Sequence, residues 1–313
     1  MQKRKGLVTK STGSWYEVRT ESAEIIHCRL RGQFRIKGIK NTNPVVVGDH
    51  VEFIVENDGC GYITDLEKRV NYIDRKSTKL SKISHLIAAN IDQAFLVVTL
   101  KDPKTSLGFI DRFLLAAEGF RIPCCIVFNK IDLYNNEELN TLAEIENIYQ
   151  KIGYSTLRTS TITGEGIHEL KVKFSKKVCL FSGHSGVGKS ALINAIDPSL
   201  HLKVGSISDY HSKGKHTTTF ASMFEVSDGF VIDTPGIKEF GLIQYSPDEV
   251  RDYFPEIRQY NNLCRFNNCL HTHEPDCRVR EAVEKGEIAL SRYENYITIL
   301  HDSDLQIEDW KLK

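Results

Sequence analysis

The chain has 313 residues, of which 41% are hydrophobic and 26% charged, and its 41 basic and 41 acidic side chains balance. This length exceeds one ordinary compact core and predicts two or three domains. We expect a cytoplasmic protein without membrane contact, because no run approaches the roughly 20 apolar residues of a membrane span and the start at 1–5 lacks a signal peptide's apolar segment. The eight cysteines are expected as reduced thiols, so a tight cluster among them favours a metal site over disulfides.

The whole chain has no net charge, but its N-terminal segment is basic. Residues 1–41 hold ten Lys or Arg side chains against three Glu. A local excess of this kind is typical of a surface that contacts phosphate groups, although a solvated basic face has the same composition.

Residues 1–68 contain about five short strands separated by turn signals such as Asn43-Pro44 and Asn57–Gly59. Five strands in so short a segment favour a small barrel, of which the OB-fold is the commonest form with a nucleic-acid face. A purely structural β-domain stays open as the alternative. The predicted strands are 7–9, 15–19, 25–30, 45–55 with a break at Gly48-Asp49, and 62–63.

A polar connector is predicted from about 69 to 90, and after it apolar strands alternate with helical patterns. This alternation predicts an α/β domain with a parallel sheet covered on both faces, in which ligands bind at the carboxyl ends of the strands. The predicted strands are 93–100, 124–128, 155–159, 178–181, 222–226 and 230–232, and the predicted helices are centred on 107–117, 139–148, 167–170 and 191–195.

A glycine-rich segment lies between the strand at 178–181 and the helix at 191–195. It matches G-x-x-x-x-G-K-[ST], in which backbone N–H groups surround phosphate oxygens, the lysine reaches the outer phosphates and the last hydroxyl meets Mg²⁺. We therefore predict a P-loop with Lys189 in a catalytic role and Ser190 as a magnesium ligand, against the alternative of a structural turn. The segment consists of Gly183, His184, Ser185, Gly186, Val187, Gly188, Lys189 and Ser190.

The segment Asn129-Lys130-Ile131-Asp132 follows the predicted strand at 124–128. The Asp132 carboxylate can accept hydrogen bonds from N1–H and the exocyclic amine of guanine, which adenine does not offer. The Lys130 stem can cover the base, and Asn129 can tie this loop to the P-loop. Ser160, at the end of the next strand, is the candidate for placing a loop against the guanine carbonyl. A capped helix start is the alternative for 129–132. GTP and GDP are the predicted nucleotides.

The strand at 230–232 leads into Asp233-Thr234-Pro235-Gly236. An aspartate at this place can hold Mg²⁺ through water, and the N–H of Gly236 can contact a γ-phosphate, which makes Gly236 a catalytic candidate. The next residue is Ile237, which cannot orient water as the glutamine of many GTPases does.

The polar loop at 213–219 lies between the P-loop and Asp233, and an ordinary connector is its alternative. Thr217 and Thr218 are both candidates for the nucleotide site, and Thr218 is the predicted magnesium ligand. His216 is the candidate for the catalytic group that orients water, with a side chain that merely contacts RNA as the alternative.

Four metal-binding residue types lie close together near the C-terminus, in the pattern Cys264-x₄-Cys269-x-His271-x₅-Cys277. Three thiolates and one imidazole form the donor set of a closed, structural zinc site with no open position. His273 is the rival for His271. A helix is predicted to pack on this loop through Leu290, Tyr293, Ile297 and Leu300.

The guanine motif at 129–132 precedes the P-loop at 183–190, which reverses the order of ordinary small GTPases and indicates a circularly permuted GTPase. With the basic barrel before it and the metal cluster after it, the whole chain closely resembles the ribosome small-subunit-dependent GTPase family. The segments that carry the resemblance are Gly-His-Ser-Gly-Val-Gly-Lys-Ser, Lys-His-Thr-Thr-Thr, Asp-Thr-Pro-Gly and the metal cluster. Lys215 and Ser160-Thr161 depart from the residues usual in that family.

The resemblance implies an OB-fold RNA-binding domain at 1–68, a circularly permuted P-loop GTPase domain at 69–244 and a zinc-binding helical domain at 245–313. It also implies GTP hydrolysis stimulated by the 30S ribosomal subunit, binding to 16S rRNA and action late in subunit maturation, and it supports His216. We expect a monomer. A nucleotide-stabilised RNA-binding scaffold without significant turnover is the alternative, and an ATP-dependent enzyme is disfavoured by Asp132.

Overall fold

The computed structural model describes residues 3–30, 44–57, 59–75, 85–202, 222–233 and 245–311. Within these ranges the chain forms a five-stranded barrel, an α/β unit and a C-terminal helical unit. These three parts confirm the predicted fold class.

The N-terminal barrel consists of β1 (Lys3–Ser11), β2 (Tyr16–Thr20), β3 (Ile25–Leu30), β4 (His50–Val55) and β5 (Gly61–Leu66). The strands run in the order β1-β2-β3-β5-β4, and β4 closes onto β1. Only the β3–β5 pair is parallel, as expected for the five-stranded Greek-key barrel of the OB-fold. Alternate residues of the strands fill the barrel, and this core includes Val8, Tyr16, Val18, Phe53 and Ile63.

The prediction for 45–55, two strand segments with a break at Gly48-Asp49, is confirmed for the break and for the second segment and is wrong for the first. Residues 45–47 are buried, but apart from one bridge from Val47 to Ala88 they lie outside the strands. Gly48 has φ +90°, and a Cβ there would lie 1.9 Å from the carbonyl oxygen of Ala89. This close approach turns the chain, so the strand begins only at His50.

The predicted connector also contains secondary structure. Strands β6 (Tyr72–Arg75) and β7 (His85–Ala89) pair antiparallel in a small second sheet. The sequence prediction missed them because each strand has only four or five residues and the polar segment at 75–79 follows the first of them.

The α/β unit contains β8 (Gln93–Val98), β9 (Cys124–Asn129), β10 (Ser155–Thr159), β11 (Val178–Ser182), β12 (Ser222–Val226) and β13 (Gly229–Asp233) in the order β10-β9-β8-β11-β13-β12. The first five strands in this order are parallel. The expectation of a wholly parallel sheet is wrong at β12, which is antiparallel to β13 because only Ser227-Asp228 joins the two strands. Lys10 pairs with Ser222, so β12 joins the sheet to the barrel.

Helices cover both faces of this sheet, as predicted. They are α1 (Leu107–Phe120), α2 (Asn136–Ile152), α3 (Ile167–Phe174) and α4 (Lys189–Ile196). Buried residues of β8 alternate between two cores: Leu96 packs with α1 and α2, and Phe95 packs with α3 and α4. A strand buried on both faces reads as a continuous apolar run, which is why the sequence revealed it.

The C-terminal unit contains α5 (Pro247–Asp252), α6 (Pro255–Arg258), α7 (Arg278–Glu284) and the long α8 (Leu290–Lys311). Tyr293, Ile297 and Leu300 of α8 contribute to its core, as predicted. Leu290 does not, because it is 60% exposed, and the fully buried Tyr296 takes the central place that the sequence pattern did not single out.

None of the helices in the described ranges is long and apolar enough to span a membrane.

A buried ion pair ties the barrel to the segment that follows it. The Asp49 carboxylate is fully buried and accepts two hydrogen bonds from the Arg69 guanidinium, both at 2.7 Å, and one from the Val46 N–H at 2.8 Å. The same guanidinium donates to the carbonyl oxygen of Pro44 at 2.8 Å. Removing one partner of such a pair leaves an uncompensated buried charge.

We predict that Arg69→Ala lowers the free energy of unfolding by about 3 kcal/mol, since Asp49 would lose its counter-ion. Urea unfolding followed by circular dichroism measures the change. Lys3→Ala is the control, because the Lys3–Glu52 pair is exposed and its loss is expected to leave the midpoint unchanged. Equal midpoints for the two variants would contradict the assigned role of Arg69.

Candidate functional site

Two predicted motifs and one further loop meet at the carboxyl edge of the parallel strands. The P-loop follows β11, the guanine motif follows β9, and residues 99–106 follow β8, which lies between them. Since the strands point the same way, the loops share one edge of the sheet, where ligands of open α/β folds bind.

The P-loop has a backbone that three glycines permit. Gly183, Gly186 and Gly188 have φ values of +136°, +83° and +98°. A Cβ at Gly183 would lie 2.1 Å from the Val97 carbonyl oxygen, so a larger residue would displace the loop from β8. The glycines therefore allow both the turn and the close packing.

Lys189 begins α4 and folds back over the P-loop. Its ammonium group donates to the carbonyl oxygens of Gly183 and His184, each at 2.7 Å. Ser190, the next residue, is buried with only 5% exposure. The lysine and the hydroxyl thus lie at the N-terminus of a helix, where backbone N–H groups and the helix dipole favour an anion.

Asn129 joins the guanine motif to the P-loop. Its side-chain amide donates to the carbonyl oxygen of Val187 at 2.8 Å, and its oxygen accepts from Thr159 Oγ1 at 2.9 Å. A Cβ at Gly188 would lie 2.4 Å from this amide nitrogen. The contact therefore requires an amide in one motif and a glycine in the other.

Ser160 orients Asp132. Its hydroxyl donates to Asp132 Oδ1 at 2.5 Å and accepts from the N–H groups of Ile162 and Thr163, both at 3.1 Å. Asp132 is exposed, so its carboxylate is held on one side and accessible on the other. Such a group can accept two hydrogen bonds from a guanine edge.

Sequence reasoning missed the loop at 99–106. The carbonyl oxygen of Asp102 accepts from Lys130 Nζ at 2.5 Å. Tyr134 supports the loop from the other side, since its hydroxyl accepts from the Leu100 N–H at 2.8 Å and donates to the Asn129 carbonyl at 2.9 Å. These are mostly backbone contacts, and the only signal in the sequence is the Asp102-Pro103 turn pair.

Several predicted site residues lie outside the described residues. They are His216, Thr217, Thr218, Gly236 and the side chain of Asp233. Of the groups predicted to bind magnesium, the described part of the chain places only Ser190.

A second cluster lies in the C-terminal unit. One donor atom from each of Cys264, Cys269, His271 and Cys277 lies within 4.8 Å of the other three. His271 Nδ1 is 3.6 Å from Cys264 Sγ and 3.4 Å from Cys277 Sγ. Donors about 2.3 and 2.0 Å from one metal ion in tetrahedral geometry lie about 3.5 Å apart. The two distances from the imidazole to the thiols therefore match a tetrahedral site, and the cluster could hold a metal ion.

The orientation of His271 distinguishes it from His273. His271 is fully buried, with Nδ1 toward the sulfur atoms and Nε2 3.1 Å from Asn261 Oδ1, which fixes the ring. His273 is exposed, and its Nδ1 lies 2.9 Å from the Thr272 hydroxyl. The described cluster thus contains His271, and His273 lies outside it.

The loop around the cluster is held by α8 and by one carboxylate. Tyr293 and Tyr296 donate to the carbonyl oxygens of His271 and Leu270, both at 2.6 Å. Glu274 accepts from the N–H groups of Leu270, Thr272 and His273 at 2.7, 2.8 and 3.1 Å. The donors are therefore preorganised.

Burial favours the neutral form of two of the donors. Burial lowers the pKa of His271 to about 4, so the imidazole is neutral and carries a free lone pair. Burial also raises the pKa of Cys269 to about 12. A buried thiolate here needs a positive charge beside it, which a divalent metal ion supplies.

Comparisons with known proteins agree with this architecture. A family model described as RsgA GTPase matches residues 66–243, and one described as RsgA N-terminal domain matches residues 5–63. Small ribosomal subunit biogenesis GTPase RsgA 2 of Bacteroides thetaiotaomicron is 52% identical over 301 residues, which cover 96% of this chain and 97% of that protein. Small ribosomal subunit biogenesis GTPase RsgA of Flavobacterium johnsoniae is 50% identical, with 96% and 93% covered.

Two solved structures have the same fold. YjeQ from Thermotoga maritima superposes with a TM-score of 0.79 at 38% identity, over 96% of this chain and 99% of that one. YloQ, described as a circularly permuted GTPase, superposes with a TM-score of 0.76 at 31% identity, over 97% and 96%.

We predict that His271→Ala lowers the bound metal from about one ion per chain to well under half, because the site loses one of four donors. Metal analysis of the purified protein measures the ratio, and the thermal midpoint is expected to fall with it. His273→Ala is the matched control and should retain the metal. Equal metal content in the two variants would contradict the assignment of His271.

Proposed function

The chain belongs to the RsgA GTPase family and is a GTP hydrolase, and from this premise we propose that it binds the 30S ribosomal subunit late in that subunit's maturation. In this proposal the subunit stimulates hydrolysis of GTP to GDP and phosphate. The observation that supports the GTP site is the Asn129–Val187 hydrogen bond, which joins the proposed guanine-binding loop to the proposed phosphate-binding loop. The names of the relatives support the ribosomal partner.

Guanine recognition is assigned to Asp132, Lys130 and Ser160. The Asp132 carboxylate would accept from N1–H and the exocyclic amine of the base, with Ser160 holding its other side. The Lys130 ammonium group donates a hydrogen bond to the Asp102 carbonyl oxygen, and the apolar part of this side chain would lie along the base plane. Adenine presents an acceptor at N1, so the same carboxylate would repel it.

We predict that Asp132→Asn weakens binding of GTP and GDP by at least about a hundredfold and shifts preference toward xanthosine triphosphate, whose base presents an acceptor in place of the amine. Competition with a fluorescent nucleotide measures the three affinities. Glu137→Gln, an exposed charge removal in the first turn of α2, is the control. Unchanged preference in Asp132→Asn would rule out this mode of guanine recognition.

Phosphate binding and hydrolysis are assigned to the P-loop, to the segment Asp233–Gly236 and to the polar loop at 213–219. Lys189 would neutralise the outer phosphates, and the N–H of Gly236 would contact the γ-phosphate. A magnesium ion bound with GTP would offset phosphate charge, with Ser190, Thr218 and, through water, Asp233 as its protein ligands. Because Ile237 carries no polar group, we assign the alignment of the attacking water to His216.

Zinc is the metal proposed for the C-terminal cluster. Three thiolates and one imidazole are soft or intermediate donors in a set of four, which favours zinc over hard cations such as calcium. No coordination position is left for substrate, so the role is structural. The helical unit proposed at 245–313 has only short helices before α8 and its own separate core, and a metal would stabilise it.

The barrel is proposed as a contact to 16S rRNA. Of its six described basic residues before position 41, five pair with glutamates. Arg29 instead stacks on the exposed ring of Trp15, 3.8 Å from its centroid. An exposed aromatic and guanidinium pair can stack on unpaired bases.

We propose units at 1–68, 69–244 and 245–313 in a cytoplasmic monomer.

Hydrolysis with purified ribosomal subunits tests the function directly. We predict slow turnover by the protein alone, stimulation of at least about tenfold by 30S subunits, and no comparable effect of 50S subunits. Multiple-turnover phosphate release measures both rates. If phosphate release does not exceed one equivalent per protein in the presence of 30S, the nucleotide-stabilised scaffold becomes the function.

The same assay tests His216. His216→Ala is expected to abolish most of the 30S stimulation while GTP affinity is retained, because the group acts only on the attacking water. His211→Ala removes a histidine that lies five positions before His216 in the sequence and is the matched control. Full stimulation of the His216 variant would overturn this assignment and leave the GTPase proposal standing.

A further inference from the structure

Helix α1 touches the P-loop through one residue of its first turn. The Phe109 ring lies with its centroid 3.9 Å from that of His184 and an interplanar angle of 31°. Phe109 is half-buried and also packs against the core beneath α1. The helix thus extends from the hydrophobic core to the nucleotide loop.

The backbone of His184 helps to hold Lys189 in place. Residues 184–186 are exposed, so few contacts hold this part of the P-loop. The carbonyl oxygen of His184 accepts a hydrogen bond from the Lys189 ammonium at 2.7 Å. His184 thus carries both the ring that contacts Phe109 and a carbonyl oxygen that holds the phosphate-binding lysine, so a change at the ring can reach the lysine.

Two residues further along, α1 is attached to the C-terminal unit. The Asp111 carboxylate is 1% exposed and accepts from Tyr149 of α2 at 2.7 Å and from Arg292 and Asn295 of α8, both at 2.6 Å. Arg292 also donates to Glu256 of α6 at 2.7 and 3.2 Å. A buried triad of Asp111, Arg292 and Glu256 thus joins α1, α6 and α8.

The hydrogen bonds to Asp111 require a carboxylate at this position. Tyr149 and Arg292 donate to Asp111 Oδ1, and Asn295 donates to Oδ2. A carboxylate offers acceptors at both oxygens, whereas an asparagine would turn an N–H group toward one of the donors. Buried charges that lose a partner are strongly destabilising, so the triad holds α1 rigidly in place.

We propose that Phe109 is a positioning residue for nucleotide binding and that the Asp111–Arg292–Glu256 triad sets its position, so that the C-terminal unit contributes to nucleotide affinity at the P-loop. The inference rests on the proposed nucleotide site. Phe109 and Asp111 are two residues apart, about 3 Å along a rigid helix. A change at the triad therefore reaches His184 without passing through the segment after β13.

The first test compares two phenylalanines of α1. Phe109→Ala is expected to speed release of a fluorescent GDP analogue by about three- to tenfold, which corresponds to the loss of one ring pair. Phe109→Tyr keeps the ring and should restore the wild-type rate. Phe120→Ala is the matched control, because Phe120 packs on the same core at the far end of α1. It should lower the thermal midpoint and leave release within about twofold of wild type.

The second test asks whether the triad affects nucleotide release through Phe109. Asp111→Asn is expected to speed GDP release by about threefold in the wild-type background and to have little further effect in Phe109→Ala. Asn295→Ala, which removes a single donor, gives the same comparison if Asp111→Asn does not fold. Multiplicative effects of the two changes would show that the triad acts independently of Phe109 and would overturn the coupling.

The outcomes separate the inference from the function it rests on. If the wild-type protein binds no guanine nucleotide, the proposed function fails. If the wild-type protein binds nucleotide and Phe109→Ala releases it at the wild-type rate, only the positioning role fails. Faster release in Phe109→Ala and Phe120→Ala in proportion to their loss of thermal stability would also overturn it.

Discussion

The contact between Asn129 and the P-loop is the constraint on which the proposed nucleotide site depends. One side-chain amide satisfies the Val187 carbonyl oxygen, and the same amide occupies the space that a Cβ at Gly188 would need. Neither motif can change at these positions without moving the other. Thr159 holds the oxygen of that amide, so a third strand end is tied to the same point. The two loops proposed to bind the base and the phosphates are thereby kept at one distance from each other.

This constraint explains how the site tolerates a permuted chain. The loops meet because β8, β9 and β11 are parallel neighbours in the sheet, and the hydrogen bonds between their ends do not depend on the order in which the chain visits them. What the permutation changes is the attachment of other units. The barrel now enters the sheet through β12, and the C-terminal unit packs against α1.

The C-terminal unit is held by two kinds of interaction that apolar packing alone does not provide. Inside the unit, a cluster of three thiols and one imidazole fits a metal ion, and the hydroxyls of two tyrosines fix its loop. Between units, Arg292 is 2% exposed and bridges two carboxylates from different helices. Such buried groups favour one relative placement of the helices, because any slip leaves a charge without its partner.

Local sequence patterns were sufficient to predict the elements that depend on neighbouring residues alone. Three glycines and a lysine within eight residues specify a phosphate loop, because the backbone there must adopt positive φ values. Four donor residues in a short stretch predict a cluster that can hold a metal ion, and apolar runs specify strands buried on both faces. Only the tertiary structure decided the antiparallel placement of β12, the turn at Gly48 against Ala89, the support of Lys130 by Asp102, and the bond between Asp111 and Arg292, 181 positions apart. These features depend on which distant backbone or charge lies opposite a residue, and neither hydrophobic periodicity nor motif spacing contains that information.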